Sequence, residues 1–217
     1  MIWVYAVCER TELQLPPVRG LAQAPLEGIA DGQLLAVVSR HERMPEESPL
    51  DALWAHERVI EALMAERAVL PMRFGTRLPD ADAVQAALAA RRGLLIDALD
   101  RVRGRVELAV RAIGPAADTA PSPAPAATSG REYIRARLRS SRSGASLHEP
   151  LAAVAVAARR WPERAPGELL RASYLVEQPA VAQFRSTVER LQSEHPEAAL
   201  LCTGPWPAYS FMEQAGG

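Results

Sequence analysis

His56 and Glu57 stand side by side in a stretch that reads as helix, and zinc peptidases use these residue types to bind metal and activate water. That chemistry needs a second histidine four positions after the first, so that both imidazoles reach one ion from one helix face. Position 60 is Ile, and the pattern fails. The alternative is structural: a His and a Glu hydrogen-bonded at a helix–sheet junction, with Glu57 paired to Arg73, whose neighbours Met72 and Phe74 are expected in the core. The four histidines (His41, His56, His148, His195) and the two cysteines (Cys8, Cys202) show no metal-ligand spacing. Neither a Gly-x-Ser-x-Gly elbow nor a Gly-x-Gly-x-x-Gly loop occurs, and nothing in the sequence pairs a nucleophile with a base. All 25 basic residues are Arg. Without Lys there is no P-loop lysine, no Schiff-base lysine and no Ser–Lys pair; Arg cannot fill the last two roles because it keeps its proton. No catalytic, metal-binding or cofactor-binding residue is assigned.

Two other strings could bind a partner. Arg131, Arg135, Arg139 and Arg142 recur at spacings of 4, 4 and 3, which puts them on one stripe of a helix. The stripe is either a docking strip for an acidic partner or for phosphates, or the solvated face of an amphipathic helix. The second string is Gly204-Pro205-Trp206-Pro207-Ala208-Tyr209-Ser210-Phe211, in which two prolines fix the backbone around Trp206. Trp206, Tyr209 and Phe211 are candidates for a preordered binding surface, or they fold back to fill a small C-terminal core.

The elements that must position these residues are α+β. The chain has 217 residues, of which 48% are hydrophobic but 40 are Ala, so its core must be spread through small units. Residues 114–130 read GPAADTAPSPAPAATSG, with six Ala, four Pro and no large apolar side chain, the composition of an extended linker. This predicts an N-terminal domain over 1–113 and a C-terminal domain over 131–217. In the first, Ile2–Cys8 and Leu34–Ser39 read as strands. Ser48 and Pro49 start a helix to about Arg67, with Leu53, Ile60, Leu63 and Met64 as its apolar stripe. Val69–Phe74 reads as an edge or bulged strand. Val84, Leu88, Leu95, Leu99 and Val102 keep helical spacing up to Gly104, and Arg105–Ile113 alternates like a half-buried strand. In the second domain, helices are expected over about 130–142 and 147–160, a strand over 169–176, a helix from Pro179 and a last strand over 198–203. Both domains are thus expected to be α+β with antiparallel sheets, ferredoxin-like in part.

Net charge is −1 with a pI near 6.5, which argues against a bulk electrostatic grip on nucleic acid or acidic lipid. No apolar run approaches the length of about 18 residues that a membrane helix needs. The N-terminus opens with strand-like residues and no basic n-region, so a cytoplasmic protein with reduced thiols is expected.

Several strings together resemble one family. Tyr5 in the opening strand, Pro17-Val18-Arg19-Gly20, Leu34–Ser39, His56-Glu57, Val69–Thr76 and Val106-Glu107 are similar to gas vesicle accessory proteins of the GvpL/GvpF family. So are Glu132-Tyr133, Ala172–Val176 and Thr203–Pro207; the Pro-x-Arg-Phe-Gly-Thr and Gly-Pro-Trp-Pro-x-Tyr-Ser-Phe strings carry most of the specificity. Ala208 stands where Pro is often found, and the basic helix has no Lys. The resemblance implies a non-enzymatic protein of gas vesicle assembly without a cofactor, located in the cytoplasm and at the gas vesicle. Its implied partners are the major, very hydrophobic shell protein and other accessory proteins, with self-association possible and no membrane. The rival reading is a nucleic-acid-binding regulator that uses the Arg-rich helix.

Overall fold

A computed structural model describes residues 1–11, 14–43, 48–114, 144–162, 164 and 167–212. It is α+β. The chain packs as two compact units, Met1–Arg105 with Pro207–Gly217 and Val106–Trp206. The second unit is therefore inserted into the chain of the first.

In the first unit, β1 (Ile2–Glu9) lies between β3 (Leu34–Arg40) and β4 (Val69–Pro71), and β2 (Glu27–Asp31) pairs with β3 at the edge. A short β5 (Arg77–Leu78) pairs with the start of β1. All these ladders are antiparallel. The first seven residues of β1 are all buried, so both faces of the strand are covered, because successive side chains point to opposite faces. Helix α1 (Pro49–Met64) buries Ala52, Ala55, Val59, Ile60 and Leu63 in one cluster with Trp3, Tyr5, Leu21 and Val37. Helices α2 (Ala81–Ala90) and α3 (Arg92–Val102) pack on the same strands through Val84, Leu88, Leu95, Leu99 and Val102, none of which belongs to the α1 cluster.

Three expectations need correction here. One helix was expected up to Gly104, but it breaks at Arg91 (φ −121°, ψ 16°), where Arg-Arg-Gly interrupts the Ala-rich turn. Neither β2 nor β5 is legible, because each is short and gains its stability from pairing. The expected strand to Phe74 ends at Pro71, and Phe74 is 42% exposed rather than core.

The second unit has four strands in the order β7-β8-β6-β9. They are β6 (Arg105–Ile113), β7 (Ala157–Arg160), β8 (Glu168–Glu177) and β9 (Ala199–Trp206). Helix α4 (144–154) follows β6 and α5 (Val181–Glu194) follows β8, giving the β-α-β-β-α-β pattern of a ferredoxin-like unit. Leu147 and Leu151 of α4 and Phe184, Val188 and Leu191 of α5 pack on alternate residues of β6 and β8: Leu108, Val110, Ala112, Leu170, Ala172, Tyr174 and Val176. The sequence reading puts 106–113 with the N-terminal domain, whereas β6 pairs along its length with β9, Val110 opposite Cys202 and Ile113 opposite Ala199. It places residues 157–160 in a helix, yet they form β7. Ala-rich sequence favours helix locally, and pairing of Ala157 with Leu175 and Arg160 with Ala172 overrides it. The Pro/Ala-rich segment from 115 to 130 lies outside the described residues.

The phenol of Tyr5 ties the first unit's loop to its sheet. Its Oη accepts from the backbone N–H of Leu21 at 2.7 Å and shares a 2.7 Å hydrogen bond with Ser39 Oγ, all buried. Gly20 is required beside it, since a Cβ there would collide with the Tyr5 hydroxyl. Tyr5→Phe leaves the Leu21 N–H without that acceptor and is expected to lower the unfolding free energy in urea by about 1–3 kcal/mol. A change within about 0.5 kcal/mol would contradict the anchoring role.

Candidate functional site

Three of the strings singled out in the sequence, His56-Glu57, Val69–Thr76 and the Tyr209 end of the last one, meet in the first unit. Strand β1 has an irregularity between Val4 and Ala6, and its partner edge is split there into β4 and β5. The intervening residues 72–76 stay attached by Met72 N–H to Tyr5 O (2.8 Å) and Val4 N–H to Thr76 O (3.0 Å). Thr76 closes the turn by donating both N–H and Oγ1 to Arg73 O, at 3.0 and 2.7 Å. Into this gap α1 inserts His56.

His56 is fully buried. Its Nδ1 accepts from the indole N–H of Trp3 at 3.1 Å, so the single proton of the neutral ring sits on Nε2 and is donated to Met72 O at 2.9 Å. Trp3 and Phe74 meet the imidazole edge to face, with centroids 6.1 and 5.7 Å away, and Tyr5 lies 5.4 Å from it. Trp3 and Phe74 also contact each other at 5.3 Å. Burial pushes the imidazole below its usual range, with the Met72 carbonyl pulling the other way. A second proton on Nδ1 would also break the Trp3 bond. His56 is a structural bolt; among the described residues no three His, Cys, Asp or Glu side chains gather where a metal could sit.

Glu57, expected to pair with Arg73, instead accepts a 3.0 Å hydrogen bond from Tyr209 Oη. Burial raises its carboxyl above the ordinary value; the Tyr209 bond opposes this and the charge of Glu61 adds to it. The Gly-Pro-Trp-Pro string therefore divides. Trp206 ends β9, is 43% exposed and donates its indole N–H to Thr203 Oγ1 at 3.2 Å. Tyr209 and Phe211 lie in the single turn Tyr209–Phe211, both partly buried, and Tyr209 packs on the core of the first unit. Gly204 adopts φ +113°, with the Glu107 carbonyl 2.7 Å from where a Cβ would be, so no other residue fits before Pro205. Arg131, Arg135, Arg139 and Arg142 lie outside the described residues.

The structure does bring one Ser and one His together: Ser39 Oγ and His41 Nε2 are 2.8 Å apart. Ser39 is fully buried and its hydroxyl is already bound to Tyr5, so it offers no accessible nucleophile. Reading motifs alone misses Trp3, whose indole completes the His56 bonds, and Leu50 and Trp54, which are 59% and 60% exposed on α1. The signal for the last two is their spacing with Leu53 (i, i+3, i+4), here turned outward.

Because the folded-state value of His56 is lowered from 6.5, the unfolded chain takes up this proton first as the pH falls. Stability is therefore lost as pH drops through about 6.5 and stops falling only below the folded value. His148 adds in the same direction, lowered by burial and by the charge of Arg160. Urea titrations from about pH 7.5 to about pH 5 should show this fall, with His56→Gln removing a slope of up to about 1.4 kcal/mol per pH unit. An unchanged slope in His56→Gln would contradict the neutral, buried imidazole.

The chain matches the family described as gas vesicle synthesis protein GvpL/GvpF over residues 1–213. Gas vesicle protein F1 of Halobacterium salinarum is 28% identical over 216 residues, covering 98% of this chain and 92% of that one. Gas vesicle protein L of a Streptomyces species is 32% identical over 248 residues, covering 96% and 91%. The crystal structure of GvpF from Anabaena superposes with a TM-score of 0.83 at 16% identity, covering 97% of this chain and 95% of that one. That of GvpF from Microcystis aeruginosa gives 0.79 at 15%, covering 97% and 98%. The chain belongs to the GvpL/GvpF family of gas vesicle accessory proteins.

Proposed function

We propose that this protein acts in gas vesicle assembly by binding the hydrophobic shell subunit, together with other accessory proteins, and that it does so without catalysis. The observation that carries this reading is the family match over residues 1–213. A wall that holds gas needs a face that water does not wet, and a free subunit with such a face aggregates unless it is covered. A binder that covers it before assembly shifts the subunit away from aggregation by mass action. Work of this kind needs exposed apolar contacts, not an acid, a base or a metal. The exposed Trp206 indole, held by Thr203, suits such a contact. The Arg131–Arg142 strip would add a charge-dependent contact to an acidic accessory partner. The protein would then work in the cytoplasm and at the vesicle surface.

Co-expression with the major shell protein and pull-down at about 0.1 M and about 0.5 M salt tests this. The shell protein should be retained at both, and Trp206→Ala should cut retention by about tenfold, the scale of a hot-spot residue. No retention at either salt, with the protein folded and the other accessory proteins supplied, would contradict shell binding.

A further inference from the structure

The register of α1 leaves an unusual surface. Val59, Ile60 and Leu63 in its second half and His56 at its middle must face the sheet, and rotation by helical spacing then carries Ala52 and Ala55 inward with them. The large apolar residues of the first two turns consequently face out: Leu50 is 59% exposed, Leu53 37% and Trp54 60%. Leu53 was expected in the core stripe, and this register is why it is not there. Single exposed apolar residues are ordinary. Three at i, i+3 and i+4 on one helix form a patch, and a tryptophan among them is what binding surfaces use as an anchor.

The same stripe then turns acidic. Leu50, Trp54, Glu57 and Glu61 follow one another at spacings of 4, 3 and 4, with Asp51 beside Trp54 at i, i+3. Against Asp51, Glu57 and Glu61 the helix carries one cation, Arg58, so its three acids and one base give a net −2. The patch is also rigid from beneath, since the Trp3 and Met72 hydrogen bonds to His56 fix the rotation of the helix, and Tyr209 holds Glu57. A preorganised surface loses little entropy when it is covered.

We infer that the outward face of α1, an apolar patch of Leu50, Leu53 and Trp54 rimmed by Asp51, Glu57 and Glu61, docks an apolar segment of the shell subunit that is bordered by basic side chains. This rests on the shell-binding reading above and assigns it a surface. An Arg or Lys of the partner would meet the carboxylates, or the face of the Trp54 ring. A second copy of this face supplies only Arg58 against three carboxylates, which leaves the rim without the charge it calls for.

The test uses the full chain co-expressed with the major gas vesicle shell protein, reading the shell protein retained in a pull-down. Four forms are compared: wild type, the double variant Leu50→Ser/Trp54→Ser, Glu61→Arg, and Leu94→Ser as an exposed apolar control on α3 (52% exposed). The double variant should retain about tenfold less shell protein. Glu61→Arg should retain about two- to fivefold less and lose less on raising the salt. Leu94→Ser should match wild type. Retention by wild type and by both α1 variants alike overturns this surface while leaving shell binding intact. No retention by wild type overturns the shell-binding reading and this inference with it. A wild-type dimer that the double variant turns to monomer, with retention unchanged, assigns the patch to a second copy and overturns the inference. If the double variant melts early, Glu61→Arg, at an exposed position of α1, decides in the same way.

Discussion

An imidazole without access to water stays neutral only if each nitrogen has the partner its proton state demands. His56 has both: the indole N–H of Trp3 on Nδ1 and the carbonyl of Met72 on Nε2. These two bonds join the start of β1, the middle of α1 and the break between β4 and β5, three segments far apart in sequence. Buried and unpaired, either nitrogen would cost on the order of 1–3 kcal/mol, so the pairing fixes the geometry more strongly than its net contribution suggests. The rotation of α1 follows from it. So does the placement of Glu57, one residue on, where the phenol of Tyr209 reaches its carboxylate and brings the chain after Pro207 back to the first unit.

Much of this was legible in the sequence, and the failures have physical reasons. The strands at Ile2 and Leu34, the helix start at Ser48-Pro49 and the apolar face of α5 are local signals, and local signals are what a sequence displays. Structural hydrogen bonds are expected at His56 because an Ile stands where a second ligand is required, and its ring bonds Trp3 and Met72. What could not be read was pairing. Strand β6 looks like the end of an N-terminal domain because a Pro/Ala-rich segment follows it, yet its partner β9 comes some ninety residues later. Residues 157–160 look helical because Ala is helical in isolation, and they are a strand because β8 is beside them. Glu57 was assigned to a nearby Arg when its partner lies 152 residues away. Leu53 was assigned to the core because it is large and apolar, whereas position 56 decides which face of α1 turns inward.

The family strings become intelligible in the same terms. His-Glu on α1, the Pro-x-Arg-Phe-Gly-Thr turn and the tyrosine after Gly-Pro-Trp-Pro are parts of one interlocked arrangement, separate in sequence and joined in the fold. They hold the first unit together, and they are not where a partner is most exposed to bind. The outward residues Leu50, Trp54 and Trp206 are better placed for that. The structure divides the labour: polar groups are satisfied inside and fix the scaffold, while large apolar groups such as Leu50, Trp54 and Trp206 are left outside.

The claim on which the rest depends is the protonation state of one ring. Nitrogen-detected NMR of the histidine side chains, on protein folded at neutral pH, reads it directly. His56 is predicted to be neutral with its proton on Nε2 and an unprotonated, hydrogen-bonded Nδ1, and to remain so as the solution is taken below the pH at which exposed histidines titrate. A His56 ring protonated on Nδ1, or one that takes up a second proton at the ordinary value of 6.5, would contradict the interlock of Trp3, His56 and Met72 and with it the outward register assigned to α1.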